Sequence, residues 1–239
     1  MIEVKNLVKT YGSKGDLLNA VDDISFIIPK GASVAILGKS GSGKSTLMHL
    51  MSGLDKPTSG EVLIDGKNIM LLKQKDIDKF RSKKMSFIFQ SFFVQAKESC
   101  YDNVSLPLEI ADVPNSKRRA MIESALAAVD LSEKVKSRAK ELSGGQKQRL
   151  AVARAIVNSP QILFADEPTG NLDSVTGGLV EDLLFGYSKK NNVTLIIVTH
   201  DFDLAARCEV QIHLKDGKID SINPPKFLKK ILVDKGVKI

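Results

Sequence analysis

The stretch Gly38-Lys39-Ser40-Gly41-Ser42-Gly43-Lys44-Ser45-Thr46 decides the fold. The apolar run Val34-Ala35-Ile36-Leu37 precedes it and Leu47-Met48-His49-Leu50-Met51 follows it. That order reads as strand, glycine-rich turn, helix. It fits the spacing G-x-x-x-x-G-K-[ST], in which a loop of backbone N–H groups cradles phosphates. Glycines let the backbone approach an anion closely, and the helix start adds a positive dipole end. In this reading Gly38, Ser40, Gly41, Ser42, Gly43 and Thr46 shape the cradle. Lys44 reaches the β- and γ-phosphates, and the Ser45 hydroxyl ligates Mg²⁺.

Two other apolar runs end in chemically useful residues. Ile162-Leu163-Phe164-Ala165 leads into Asp166-Glu167, and Val193-Thr194-Leu195-Ile196-Ile197-Val198 leads into Thr199-His200. Unbroken runs of this kind suit parallel strands covered on both faces. Ligands of open α/β sheets bind beyond the carboxyl ends of such strands. Asp166 is then the carboxylate that holds Mg²⁺. Glu167 is placed to polarise an attacking water, and His200 to hydrogen-bond the γ-phosphate or that water.

The rest of the chain supplies the frame. Residues 2–10 and 20–28 alternate apolar and polar, as half-buried antiparallel strands do, with a loop at 12–16 between them. A strand at 61–64 runs into the hairpin signal Asp65-Gly66. The pattern predicts a helix at 74–82 and a strand at 85–89. Helical periodicity then dominates residues 100–158, with Ile122, Ala125, Leu126 and Val129 on one face and Pro107 and Pro114 expected to break helices. A helix at 174–189 and a strand pair about Asp216-Gly217 complete the chain before a basic tail that begins near residue 223.

Composition narrows the function. The 239 residues carry 35 Lys and Arg against 28 Asp and Glu, a net charge of +7. Nucleic acid, an anionic membrane surface or a plain lysine-rich exterior are all compatible with that sign. The even spread of the lysines favours the last. There is no Trp, and 5% of residues are aromatic, which argues against a single-strand nucleic-acid binder built on stacking. The longest apolar run, Ala125-Leu126-Ala127-Ala128-Val129, is far short of a membrane span. The N-terminus reads as a strand with no signal-peptide pattern. The two cysteines, Cys100 and Cys208, lack metal-ligand spacing and suit a reducing compartment.

Leu142-Ser143-Gly144-Gly145-Gln146 opens another helix. Ser143-Gly144-Gly145 reads as a second anion site at a helix start, or as an ordinary helix cap. With this stretch in view, the chain resembles the ATPases of ABC transporters, whose signature it matches. The resemblance extends over about residues 1–222. It implies that Tyr11 stacks on adenine and that Gln90 senses Mg²⁺ and water. It implies further that Asn171-Leu172-Asp173 is the D-loop and that His200 is the switch histidine. It also implies that Ser143, Gly144, Gly145 and Gln146 of one copy close over the nucleotide bound to a second copy. The fold expected is α/β: a phosphate-loop core with a mainly parallel sheet, an N-terminal antiparallel β subdomain and an inserted helical subdomain at about 96–158.

Finer cues are Gly53-Leu54-Asp55-Lys56-Pro57-Thr58-Ser59-Gly60, Phe89-Gln90-Ser91-Phe92 and the run from Ala165 to Ser174. These resemble the bacterial lipoprotein-release and macrolide-efflux type. That implies an ATP- and Mg²⁺-dependent ATPase on the inner face of the cell membrane, with a separate transmembrane permease and a second copy of itself as partners. No nucleic-acid partner is expected. The alternative is a soluble ATPase of the same family acting on nucleic acid or ribosomes. Residues 94–100 and Ala139 lack prolines common in the family, and the tail after Pro224 matches no family segment.

Overall fold

A computed structural model describes residues 1–13 and 16–223. The expected basic tail lies outside the described residues. The described residues divide into two compact units, one formed by residues 1–78 and 194–223, the other by 79–193.

In the first unit β1 (Ile2–Ser13) pairs antiparallel with β2 (Asp16–Ile28) and with β4 (Ser59–Ile64), which turns into β5 (Lys67–Asn68). Asp65 and Gly66, at φ 48° and 79°, make the tight turn that their sequence signals. The β1–β2 hairpin is longer than the alternation suggested. Most of the expected 12–16 loop is strand, because the ladder continues to Ser13 opposite Asp16. Alternation fades there only because these strand ends are exposed on both faces.

The second sheet of this unit centres on β3 (Ser33–Leu37), which pairs parallel with β8 (Thr194–Thr199) and with β9 (Val210–Lys215). β10 (Lys218–Asn223) closes its edge antiparallel to β9. Every residue of β3 and β8 is buried, as the unbroken apolar runs require. α1 (Lys44–Met51) packs on both β2 and β8 and buries Leu47, Met48, Leu50 and Met51.

The second unit holds the parallel pair β6 (Met85–Phe89) and β7 (Ile162–Asp166). Its helices are α3 (Cys100–Ile110), α4 (Asn115–Ala128), α5 (Gly144–Ile156) and α6 (Ser174–Asn191). α2 (Gln74–Lys84) carries the chain from one unit to the other. α5 is the hub: it packs on α3, α4, α6 and β6. The expected face Ile122, Ala125, Leu126 and Val129 is buried as a set.

Pro107 corrects the reading. It sits inside α3 without ending it. The helix persists because Asn103, Val104 and Leu108 around it are buried, and packing outweighs the lost backbone bond. Pro107 also has a tertiary use, since its carbonyl accepts from Asn158 Nδ2 at 2.9 Å. Pro114 precedes α4 as its cap, in line with a break there.

Phe164 of β7 is fully buried and stacks on Phe87 of β6 at 5.4 Å between ring centroids. Phe164→Ala removes the largest fully buried side chain of that strand pair. It should lower stability by about 3–5 kcal/mol, read as a shift in the denaturant midpoint.

Candidate functional site

In the first unit the site begins where β3 ends. Leu37 stands in register with Thr199, so the glycine-rich loop and His200 leave adjacent parallel strands at the same level. A cavity of about 570 Å³ is lined by Gly38, Ser40, Gly41 and Ser42 on one side and by His200 and Phe202 on another. Two segments far apart in sequence thus face one space. His200 is followed by Asp201, whose carboxylate accepts from Asp203 N (2.8 Å) and Leu204 N (3.1 Å) and starts α7 (Phe202–Ala206). The sequence pattern carries no expectation of that short helix.

The loop is held open by its backbone. Gly43 has φ +96°, and a Cβ there would run into the carbonyl oxygen of Ala20. Only glycine fits. The Lys44 side chain is nearly buried and folds back to donate to the carbonyl oxygens of Gly38 (2.7 Å) and Lys39 (3.0 Å). A buried ammonium spread across the loop mouth is suited to an anion. Ser42 Oγ is buried and finds no hydrogen-bond partner among the described residues, an unmet polar atom within the cradle. These features fit a bound phosphate chain.

Tyr11 lies near the end of β1. Its hydroxyl donates to Asp55 Oδ2 at 2.8 Å, and Lys9 Nζ sits 4.9 Å from the ring centroid while pairing with Asp55 Oδ1 at 2.9 Å. Partial burial and the Asp55 carboxylate raise the tyrosine's pKa. Burial alone would raise the Asp55 pKa too, but hydrogen bonds from Lys9, Tyr11 and the Lys56 N–H outweigh it and hold the carboxyl below its ordinary value. The sequence reading missed Lys9 and any role for Asp55. Their signal was Lys9 standing two residues before Tyr11, a spacing that favours one face of a strand.

In the second unit the parallel register sets Phe89 opposite Asp166, so Gln90 and Glu167 are the next residues beyond two neighbouring strand ends. Glu167 takes a left-handed backbone, φ 46°, and its carbonyl accepts from Gly170 N at 3.1 Å. A non-glycine residue held there marks a sharply turned strand exit. Asn171 holds the Gln90 segment: its Nδ2 donates to Gln90 O at 2.9 Å, and Gln90 Nε2 lies 3.4 Å from Asn171 Oδ1. The Gln90 carboxamide therefore rests on the turn that follows Glu167.

Ser143 caps α5. Its Oγ accepts from Gln146 N (3.3 Å), and Gln146 Oε1 accepts from Ser143 N (3.0 Å). The cap reading of this stretch thus holds within the single chain, while a Cβ placed on Gly144 would meet nothing within 4 Å. Gly145 has no such room, because a Cβ there would strike the Thr176 methyl. Asp173 caps α6 through Thr176 N at 2.9 Å, and that bond lowers its carboxyl pKa. Two further residues went unread in the sequence. Gln148, fully buried, donates from Nε2 to Pro168 O, and Arg154 donates to the carbonyls of Phe93 (2.6 Å) and Phe92 (3.0 Å). α5 is thereby fastened to the segments after both Asp166 and Gln90.

Residues 21–170 match the family model described as ABC transporter. The chain belongs to the ABC transporter family. This ABC cassette is 41% identical over 219 residues to the lipoprotein-releasing system ATP-binding protein LolD of Syntrophus aciditrophicus, covering 92% of this chain and 98% of that one. It is 42% identical to the macrolide export ATP-binding/permease protein MacB of Hyphomonas neptunium, covering 92% of this chain and 34% of that longer protein. Among solved structures it matches the dimeric bacterial ABC transporter cassette MJ0796 with a TM-score of 0.86 at 37% identity, over 94% of this chain and 98% of that one. A post-hydrolysis dimer of the same cassette with ADP and Pi matches at 0.85 and 36%, over 94% and 98%. The cassette is an ATP-binding ATPase subunit whose relatives are of the lipoprotein-release and macrolide-export type.

Gly43→Ala should abolish ATP binding in calorimetry while far-UV circular dichroism stays near the parent's, since the clash is local to the loop. The Asp55 carboxyl has a folded pKa below its unfolded one, so its contribution to stability is full above the ordinary value of 3.8 and is lost as pH falls through the folded value. Asp55→Asn should therefore be less stable than the parent at pH 7 in denaturant titration, with the gap narrowing as the pH falls below about 4.

Proposed function

We propose that this cassette hydrolyses Mg²⁺-bound ATP to drive a separate transmembrane protein. The carrying observation is the shared level of the phosphate loop and His200 at the ends of β3 and β8, opening on one cavity.

The proposed roles follow from the chemistry of each side chain. The loop amides and Lys44 hold the phosphates, and Ser45, Asp166 and Gln90 are the residues that would hold Mg²⁺. Among the described residues no cluster of three or more His, Cys, Asp or Glu could hold a metal alone. An Mg²⁺ held there would neutralise charge on the phosphate oxygens. Glu167 orients and polarises a water. The water oxygen bonds to the γ-phosphorus as the bond to the bridging oxygen breaks, giving ADP and phosphate and releasing the water's proton. His200 donates to the γ-phosphate or positions the water. Tyr11 stacks on adenine.

Two copies arranged head to tail complete two sites, with residues 143–146 and Asp173 of each copy closing on the nucleotide of the other. The dimeric cassette at TM-score 0.86 supports this arrangement. Among the described residues no helix is long and apolar enough to cross a membrane. The relatives named for lipoprotein release and macrolide export support a membrane protein of that kind, reached from the inner face of the membrane.

Glu167→Gln keeps the hydrogen bonds and removes the base. It should bind ATP with near-parent affinity and accumulate as a dimer with ATP, while turnover falls by about 10²-fold or more. Lys44→Ala should lose binding or turnover without such a dimer. Parent-rate hydrolysis by Glu167→Gln would overturn the assignment of the base. Co-purification from membranes tests the partner: recovery of a permease supports it, and a cassette that brings down no membrane protein counts against it.

A further inference from the structure

Lys9 is an unusual lysine. Its side chain keeps only 14% of its exposure. Its ammonium is fully directed: toward Asp55 Oδ1 at 2.9 Å, Lys56 O at 2.7 Å and the Tyr11 ring centroid at 4.9 Å. Asp55 uses its second oxygen to accept from the Tyr11 hydroxyl at 2.8 Å. The ring is therefore held at its tip by a carboxylate and on one face by a cation, yet it remains 43% exposed. Asp55 is itself anchored. Its N–H donates to His49 O at 3.2 Å, in the helix that starts at Lys44.

We propose that Lys9 and Asp55 are positioning residues for the nucleobase, holding the Tyr11 ring flat to receive an adenine and at a fixed distance from the phosphate loop. The inference rests on the reading of Tyr11 as the adenine platform and adds how that platform is set. An exposed tyrosine near a hairpin end samples several rotamers, and a base that stacks on it must first freeze one. The Lys9–Asp55 pair freezes it beforehand, which is preorganisation. The cation beneath the ring also occupies one face, so a single face is offered to the base. α1 links the two subsites: its first residue is Lys44, and Asp55 follows its end by four positions. The spacing from base to phosphate is thus built into one short helix.

The test compares ADP with inorganic pyrophosphate by titration calorimetry, since both offer a diphosphate and only one offers a base. Lys9→Met keeps the chain length and removes the cation. It should raise the Kd for ADP roughly three- to tenfold and leave that for pyrophosphate at the parent value. Asp55→Asn, a near-isosteric second variant, should shift ADP in the same direction by a smaller factor, again without affecting pyrophosphate. Tyr11→Ala should weaken ADP about tenfold or more, and adding Lys9→Met to it should cost nothing further. If Tyr11→Ala weakens ADP selectively while Lys9→Met leaves it at the parent Kd, or weakens both ligands equally, the inference falls and the stacking reading stands. If Tyr11→Ala leaves ADP unchanged relative to pyrophosphate, both fall.

Discussion

A phosphate loop works only if its backbone can curl around an anion, and in this protein that curl passes through a point where no side chain fits. Gly43 turns at φ +96° against the carbonyl of Ala20 and starts α1 one residue later. Much of the first unit is arranged to keep this turn in place. β3 delivers the loop, β8 sets Thr199 level with Leu37, and Gly217 N–H donates to Ser42 O at 3.2 Å from the β9–β10 turn. The antiparallel sheet contributes the Ala20 wall. Burial supplies the rigidity: β3, β8 and the inner face of α1 contain almost nothing but aliphatic side chains.

The second unit has its own organising element in α5. Its N-terminus bears Ser143 and the two glycines, capped but open at Gly144. Further along, Gln148 holds the carbonyl of Pro168 and Arg154 holds those of Phe92 and Phe93. Burial lowers the Arg154 pKa, a cost that the paired carbonyls offset. α5 thus ties the segments following Asp166 and Gln90 to one helix.

Much of this was legible from sequence because apolar runs and glycine spacing are local signals. The strands ending at Leu37, Asp166 and Thr199 follow from unbroken apolar runs, the turns at Asp65-Gly66 and Asp216-Gly217 from their Asp-Gly pairs, and the buried stripe of α4 from helical period. Pro107 was misread because its helix is kept by tertiary burial, which no window of sequence reports. The hairpin was drawn short because its ends are exposed on both faces and alternation vanishes there. Lys9, Asp55, Gln148 and Arg154 were missed for a related reason. Each pairs with a group distant in sequence, Arg154 with a carbonyl 61 residues away, and the one local trace of these pairings is the two-residue spacing of Lys9 and Tyr11.

The central claim is that Lys44, Asp166 and His200 serve one magnesium-bound triphosphate. A crystal structure of the cassette with Mg²⁺ and a non-hydrolysable ATP analogue tests it most directly. The account requires the β- and γ-phosphates within hydrogen-bond reach of Lys44 Nζ, Asp166 at the metal directly or through one water, and His200 beside the γ-phosphate. A nucleotide bound with Asp166 or His200 turned away from its phosphates would contradict it.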